Sequence, residues 1–433
     1  MTQSPNRERV SFVQPYEGEE LFVFRIFCCI MISPSIMRKT ITRELIAMLG
    51  IVGLATMAMA ILQPVLPLYL DSLDINPAVM GLMFSVGMAG MDIGETSGGW
   101  LADRIGIKIP MIAGTLVCAP LVLSFTFTNN PALLFIIFFF WGIVRAAIFG
   151  PGRGYIGTRI PLAYKATFMA VYATAMAVSR SLGSFTGGLI ADVMSYHWVF
   201  YTAAAIGVIG GFVAIFCLKN HPPQPILSTT TASPGGDVPD IPLFRHKQFI
   251  FQSVIAAMQF AAIGISPFLS LLAVEVAGLD ATRVGILFTI GAIVNAVMLI
   301  PMGRLADRRS KRIMMAIGLS VTAAGQAVIA FAGGFPQLIF GVIIQSTGGA
   351  AFGPAAVALL SEVIPQRRQN TAMGIYGGCE DIGVIIGSAI GGVVWSTLGP
   401  TPTFLIVGSG CALLGAVISL VFLKKKQNLA AVP

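Results

Sequence analysis

Charge is scarce in this chain. Only 11% of its 433 residues are Asp, Glu, Lys or Arg, against the roughly one quarter that keeps a soluble domain wet. That deficit excludes an ordinary soluble enzyme. Cysteine is sparse too: Cys28, Cys29, Cys118, Cys217, Cys379 and Cys411 form no CxxC or Cys/His spacing. Neither a disulfide framework nor a metal site is therefore expected. No Walker sequence occurs, which leaves ATP-driven pumping within this chain without support. No cofactor is expected.

What the chain has instead is apolar length. Hydrophobic residues make up 56% of it, with a mean hydropathy of +0.84. A membrane-spanning helix needs about 20 mostly apolar residues. Twelve runs qualify, over 44–70, 77–102, 108–128, 131–157, 164–193 and 196–218, then 248–276, 281–306, 311–333, 336–363, 370–397 and 402–423. The 48 glycines suit such a bundle, since small residues let membrane helices approach closely.

The net charge of +8 is distributed rather than massed. Arg104 and Lys108 follow the second run; Arg153, Arg159 and Lys165 surround the connection after the fourth. Arg308, Arg309, Lys311 and Arg312 follow the eighth, Arg367 and Arg368 the tenth, and Lys424, Lys425 and Lys426 the last. The alternate loops, DSLDINP, FTNNP, MSYHW, AGGFP and LGPTP, hold no Lys or Arg, and Arg283 is the one exception after the seventh run. Basic loops mark the cytoplasmic side, so both termini are expected there, and no nucleic-acid partner is expected.

Three further segments complete the organisation. Residues 1–43 form a cytoplasmic or interfacial extension whose apolar stretch, Leu21 to Ile32, is interrupted by Arg25 and too short to span. Met31 and Met37 are alternative starts. Residues 219–247 are rich in Pro, Ser, Thr and Gly and read as a linker between helical bundles 44–218 and 248–423. A basic tail, 424–433, closes the chain.

The two bundles repeat one another. Residues 79–104 align without gaps to 283–308, and Asp307 stands 204 positions after Asp103. Phe149-Gly150-Pro151 answers Phe352-Gly353-Pro354, and Gly183, Gly187 and Gly188 answer Gly387, Gly391 and Gly392. One register held over more than a hundred residues implies two parallel six-helix halves.

Within the repeat lie GWLADRIGIK (Gly99, Asp103, Arg104, Gly106, Lys108) and GRLADRRSKR (Gly303, Asp307, Arg308, Lys311, Arg312). Both strings resemble motif A of the major facilitator superfamily, G-x-L-a-D-r-x-G-r-k, with Ile107 and Ser310 as departures. The string around Gly183 resembles the antiporter signature of twelve-helix drug:proton exporters, with Ser184 in place of its proline. Arg145, in WGIVRAAIFGPGRG, resembles the arginine of their motif B. The resemblance implies an all-α membrane protein of twelve transmembrane helices in two pseudo-symmetric six-helix bundles, acting as a monomer. It also implies that Asp103 and Asp307 latch the halves at the N-termini of the eleventh and fifth helices, where a carboxylate is stabilised by about 0.3–1 kcal/mol. A plain topogenic charge cluster is the alternative.

Ionisable groups inside hydrocarbon are costly and mark a site. The chain has six: Asp92 and Glu95 on the second helix, Arg145 on the fourth, Arg180 on the fifth, Glu380 and Asp381 on the eleventh. Asp92 and Glu380 lie roughly 15 Å from the basic ends at ~1.5 Å per residue, near the midplane where such transporters bind cargo. Four acids against two arginines leave a net negative charge that a low-dielectric site does not hold, so at least one acid is expected to carry a proton. Static bridges from Arg145 or Arg180 to an acid are the alternative. Gln63, Gln259, Asn295 and Gln345 are candidate cargo contacts.

The expected function is proton-coupled efflux of a lipophilic or cationic small molecule across the inner membrane by alternating access. Two rivals stay open: an organic-anion or metabolite symporter anchored by Arg145, and a non-transporting receptor or scaffold.

Overall fold

The computed structural model describes residues 43–149, 151–152, 162–218, 247–364 and 369–423. These are helical, with no strand among the described residues. Among the described residues ten helices are long and apolar enough to cross a membrane: α1 (Glu44–Asp71), α2 (Pro77–Ala102, continuing to Ile105), α3 (Lys108–Phe127), α6 (Tyr196–Cys217), α7 (Lys247–Glu275), α8 (Ala281–Arg308), α9 (Lys311–Ala330), α10 (Phe335–Val363), α11 (Thr371–Leu398) and α12 (Pro400–Phe422). Between α3 and α6 lie α4 (Pro131–Ala146), which is apolar but only 16 residues long, and α5 (Leu162–Val193), of 32 residues.

Proline and glycine decide where several helices start and break. Asn76 and Asn130 cap α2 and α4 by accepting from Ala78 N and Ala132 N, each with Pro at the first helical position, where its missing N–H costs nothing. α1 breaks into a turn at residues 63–65, at Pro64, and α7 breaks at Ile265, before Pro267. Both were expected as continuous helices. A proline inside a helix removes one backbone hydrogen bond and clashes with the preceding turn. The fourth run was expected to be one helix to residue 157, but α4 ends at Ala146 and a turn occupies residues 147–148 before helix resumes at residues 149 and 151–152, around Pro151. Gly150 and residues 153–161, with Arg153 and Arg159, lie outside the described residues. So do 1–42, 219–246, 365–368 and 424–433. α12 opens with a π-helical segment, Thr403–Gly410.

The packing partners repeat. Within the first six helices α2 lies on α4, α1 on α5 and α6, and α3 on α6. Within the last six α8 lies on α10, α7 on α11 and α12, and α9 on α12. Two seams join these sets, α2 against α11 and α5 against α8. A Cβ built on Gly81 of α2 would sit 3.0 Å from the Gly392 Cα of α11, and one on Gly188 of α5 would sit 3.1 Å from the Gly285 Cα of α8. Gly285 and Gly392 stand 204 positions after Gly81 and Gly188 (285 − 81 and 392 − 188). The hydroxyls follow the same rule: Ser85 Oγ donates to the Ile385 carbonyl at 2.7 Å, and Thr289 Oγ1 donates to the Ser181 carbonyl at 3.0 Å.

All of these contacts lie toward one end of the helices, the end opposite the basic loops. Toward the basic end the seams open. Gly374, Gly377 and Gly378 of α11 have nothing within 4 Å of a built Cβ, and Trp100, Ile300 and Leu299 are exposed. The molecule is therefore a V, closed at the far end and open at the basic end.

Candidate transport site

The apex of the V holds the intramembrane acids. Asp92 on α2 and Asp381 on α11 face each other across the seam, close enough for their side chains to interact. Glu95 lies close enough to Asp92, and Glu380 to Asp381, for their charges to interact. All four are half-buried. Asp92 is seven residues past Ser85, about 10 Å along the helix axis, so the pair sits just below the last hydroxyl clasp of the closed end. A hydrogen bond between two carboxyl groups has a donor only when one of them holds a proton, because ionised carboxylates are acceptors alone.

Neither arginine joins this cluster. Arg145 on α4 turns into the first bundle: its guanidinium sits 4.6 Å over the Trp141 ring, and Nη2 points at Met91 Sδ (3.2 Å) and Met88 Sδ (3.6 Å). Its Nε is buried with no hydrogen-bond partner. Arg180 on α5 is exposed. Its direction follows from its neighbours on the helix. Gly183 and Gly187 back onto α1, Gly188 onto α8, and the exposed apolar strip Val178, Leu182, Phe185, Leu189 marks the outer face. At 100° per residue, Arg180 lies opposite that strip and between the two packed faces, so it looks into the cleft. Among the described residues no carboxylate pairs with Arg145 or Arg180, and the static-bridge alternative is not realised.

The four polar cargo candidates separate. Gln63, at the α1 break, and Asn295, whose Nδ2 reaches the Ser346 carbonyl at 3.3 Å, are exposed. Gln345 is half-buried, with its backbone against Gly325 of α9. Gln259 is buried and donates to Thr322 Oγ1 of α9 at 3.1 Å. Its neighbours Gln252 and Gln326 do the same work, donating to the Ala356 and Ala262 carbonyls at 2.6 and 2.8 Å. These three amides fasten α7 to α9 and α10. A glutamine's side of its helix depends on which face packs outward, which an apolar stretch without periodicity does not specify.

The motif A strings close turns at the basic end. Gly99 and Asp103 lie in the last turns of α2. Arg104 stacks 4.1 Å over the Trp100 ring. Gly106 has φ +86°, which a residue with a Cβ rarely adopts, whereas its repeat mate Ser310 has φ −62° and needs no glycine. Lys108 Nζ donates to the Ile215 carbonyl of α6 at 2.9 Å, and Arg312 donates to the Leu420 carbonyl of α12. In each half the last base of the string thus caps the final helix, satisfying carbonyls that have no intrahelical donor. Lys311 pairs with Glu362 of α10 at 2.7 Å. Gly303, Asp307 and Arg308 end α8, the latter two exposed. Pro151 is buried, Pro354 lies inside α10, and a Cβ on Gly353 would meet open space. Gly387 and Gly391 of α11 back onto Ala261 and Ile265 of α7.

The comparisons with known proteins agree with this architecture. The family model of the Major Facilitator Superfamily matches residues 48–282 and 253–432, and the chain belongs to that family. It is accordingly a multi-pass integral membrane transporter of small molecules rather than an enzyme. It is 21% identical over 337 residues to an uncharacterised transporter of the same superfamily from Methanocaldococcus jannaschii, covering 78% of this chain and 87% of that one. It is 23% identical over 369 residues to the quinolone resistance protein NorA of Staphylococcus aureus, covering 85% and 92%. A variant of the nucleoside transporter NupG superimposes with a TM-score of 0.75 at 13% identity, over 88% of this chain and 100% of that one.

Proposed function

We propose that the chain is a proton-coupled exporter of drug-like, lipophilic or cationic molecules. It works by alternating access between two six-helix halves, as a monomer with twelve spans in an inner membrane and both termini cytoplasmic. The observation that carries this reading is the Asp92–Asp381 contact at the apex of the cleft. A proton shared between acids on opposite halves ties protonation to the geometry of the seam. When the seam re-forms around the other state, the pair parts or re-pairs, and its proton leaves toward whichever side is then open. Half-burial of Glu95 and Glu380 beside the pair gives a cationic cargo a surface to compete with that proton. Relatives named for quinolone resistance and multi-drug efflux support export over uptake. In this reading Asp103 and Asp307 close the basic end in the opposite state.

The test is proton-gradient-driven uptake of a fluorescent lipophilic cation into inside-out vesicles, comparing the parent with Asp92→Asn, Asp381→Asn and Glu380→Gln. The reading requires loss of gradient-driven accumulation in the first two variants. Unchanged accumulation in both removes it.

One observation favours a second reading, organic-anion transport: Arg180 faces the cleft without a carboxylate. Arg180→Ala should then abolish uptake of an organic anion while leaving the lipophilic cation untouched. Arg145, its guanidinium set against Met88, Met91 and Trp141, is not the anchor for that reading.

A further inference from the structure

The two seams are alike in the glycines and hydroxyls of the far end, but one carboxylate at that end belongs to a single seam. Asp192, in the last turn of α5, reaches across to the N-terminus of α8. Its Oδ1 accepts from Ala281 N at 3.2 Å; its Oδ2 accepts from Thr282 N at 3.2 Å and from Thr282 Oγ1 at 2.6 Å. The first N–H groups of a helix have no intrahelical acceptor and carry the positive end of the helix dipole. A carboxylate aimed at them is thus a strong clasp, and here it spans the two halves. The other seam lacks it. The repeat mates of Asp192 and Thr282 are Ser396 and Ala78. Ser396 donates within its own helix, to the Val393 carbonyl, and the α2 N-terminus is capped locally by Asn76.

We infer that Asp192 is a positioning residue for the transport cycle: it holds the far end shut and must release α8 before the cargo site opens to that side. This rests on the alternating-access reading above. The geometry has a counterpart at the other end of the same helix pair. α5 and α8 run antiparallel, so the C-terminal end of α8, which carries Asp307, belongs beside the N-terminal end of α5. In this state, open at the basic end, Asp307 is exposed while Asp192 is engaged. Each helix thereby offers a carboxylate to the other's N-terminus, one at each end, and the cycle exchanges one clasp for the other. Asp280 and Arg283 pair with each other at 3.5 Å at the start of α8 and do not bridge the seam.

The experiment uses the full chain in lipid nanodiscs, with its six cysteines replaced by serine and spin labels at Phe127→Cys and Phe331→Cys. These exposed residues occupy equivalent far-end positions, 204 apart, one in each half. Electron–electron distance measurement reads the ratio of open to closed far ends without cargo or gradient. Asp192→Ala should raise that ratio about fivefold, the usual weight of a lost helix cap. Thr282→Val should raise it by a smaller factor, and Ser396→Ala should leave it at the parent value. If Asp192→Ala does not remain monodisperse, Thr282→Val decides by the same criterion. A parent with two populations whose ratio ignores Asp192 and Thr282 overturns the clasp and leaves alternating access intact. A single distance in every variant, with or without a lipophilic cation added, overturns both.

Discussion

The seam between α2 and α11 and the seam between α5 and α8 are built from one plan and put to different uses. Backbone approach at the glycine pairs agrees between them to within about 0.2 Å, and Ser85 and Thr289 repeat one hydrogen bond. The ionisable groups do not repeat. Asp92 and Asp381 correspond to Ala296 and Ala177 on the other seam, and Arg180 corresponds to Val384. The lesson is that packing constrains small residues in pairs, because both seams must close together, while a charge at the midplane needs only one copy. Duplicated sequence therefore marks the scaffold, and the places where the repeat fails mark the chemistry.

The largest expected effect would break that contrast. Asp92→Asn together with Asp381→Asn should remove gradient-driven accumulation. One coupled charge is worth ~2.3 kcal/mol per 100 mV, or about a fiftyfold concentration ratio. Introducing acids at the mirrored positions, Ala296→Asp with Ala177→Asp, should not restore it, since Arg180 shares α5 with one of them. Flux assays in vesicles read both outcomes, and rescue by the mirrored pair would mean that the two seams are interchangeable.

A smaller effect should be equal on the two sides. Gly81→Ala would drive a Cβ into the Ser388 carbonyl, and Gly188→Ala would drive one into the Ala281 carbonyl. Each should destabilise the closed far end by about 1–3 kcal/mol, the range of overpacking in a tight interior. Thermal unfolding in detergent and the spin-label distance described above should shift by similar amounts for the two. A large difference would show that one seam carries the closed state alone.

The smallest effect concerns the basic end. Lys311→Ala removes a partly exposed pair with Glu362 and should cost at most ~1 kcal/mol of stability, as surface ion pairs do. Arg312→Ala should cost more by denaturation midpoint, because it leaves the Leu420 carbonyl without its donor.

Much of the fold was legible before any coordinates. Charge deficit, apolar run length and the 204-residue register each follow from rules that act locally or by direct comparison, and the described helices fall where the runs lie. Clustering of Asp92, Glu95, Glu380 and Asp381 was legible as a cost, since four acids in hydrocarbon demand an explanation. That the acids of the second and eleventh helices could be neighbours followed from the family resemblance, which sets those helices face to face; which acid meets which depends on the register of α2 against α11. The breaks in α1 and α7 had a signal in Pro64 and Pro267. Gln259 had none, for a glutamine in an apolar helix serves equally well as glue or as lining until the neighbouring helix is placed. Asp192 was missed for a related reason. It reads as an ordinary polar residue at a helix end, and only the register of α5 against α8 puts it at another helix's first turn.

What the sequence determined by itself is the solvent: a chain this poor in charge and this long in apolar runs has to live in lipid, and its repeat forces two alike halves. What only the tertiary structure decided is pairing across those halves, meaning which acid meets which, which end is shut, and which carboxylate holds it. The physical reason is that hydrophobicity is summed along a chain, whereas a hydrogen bond between helices hundreds of residues apart exists only after both have been set in place.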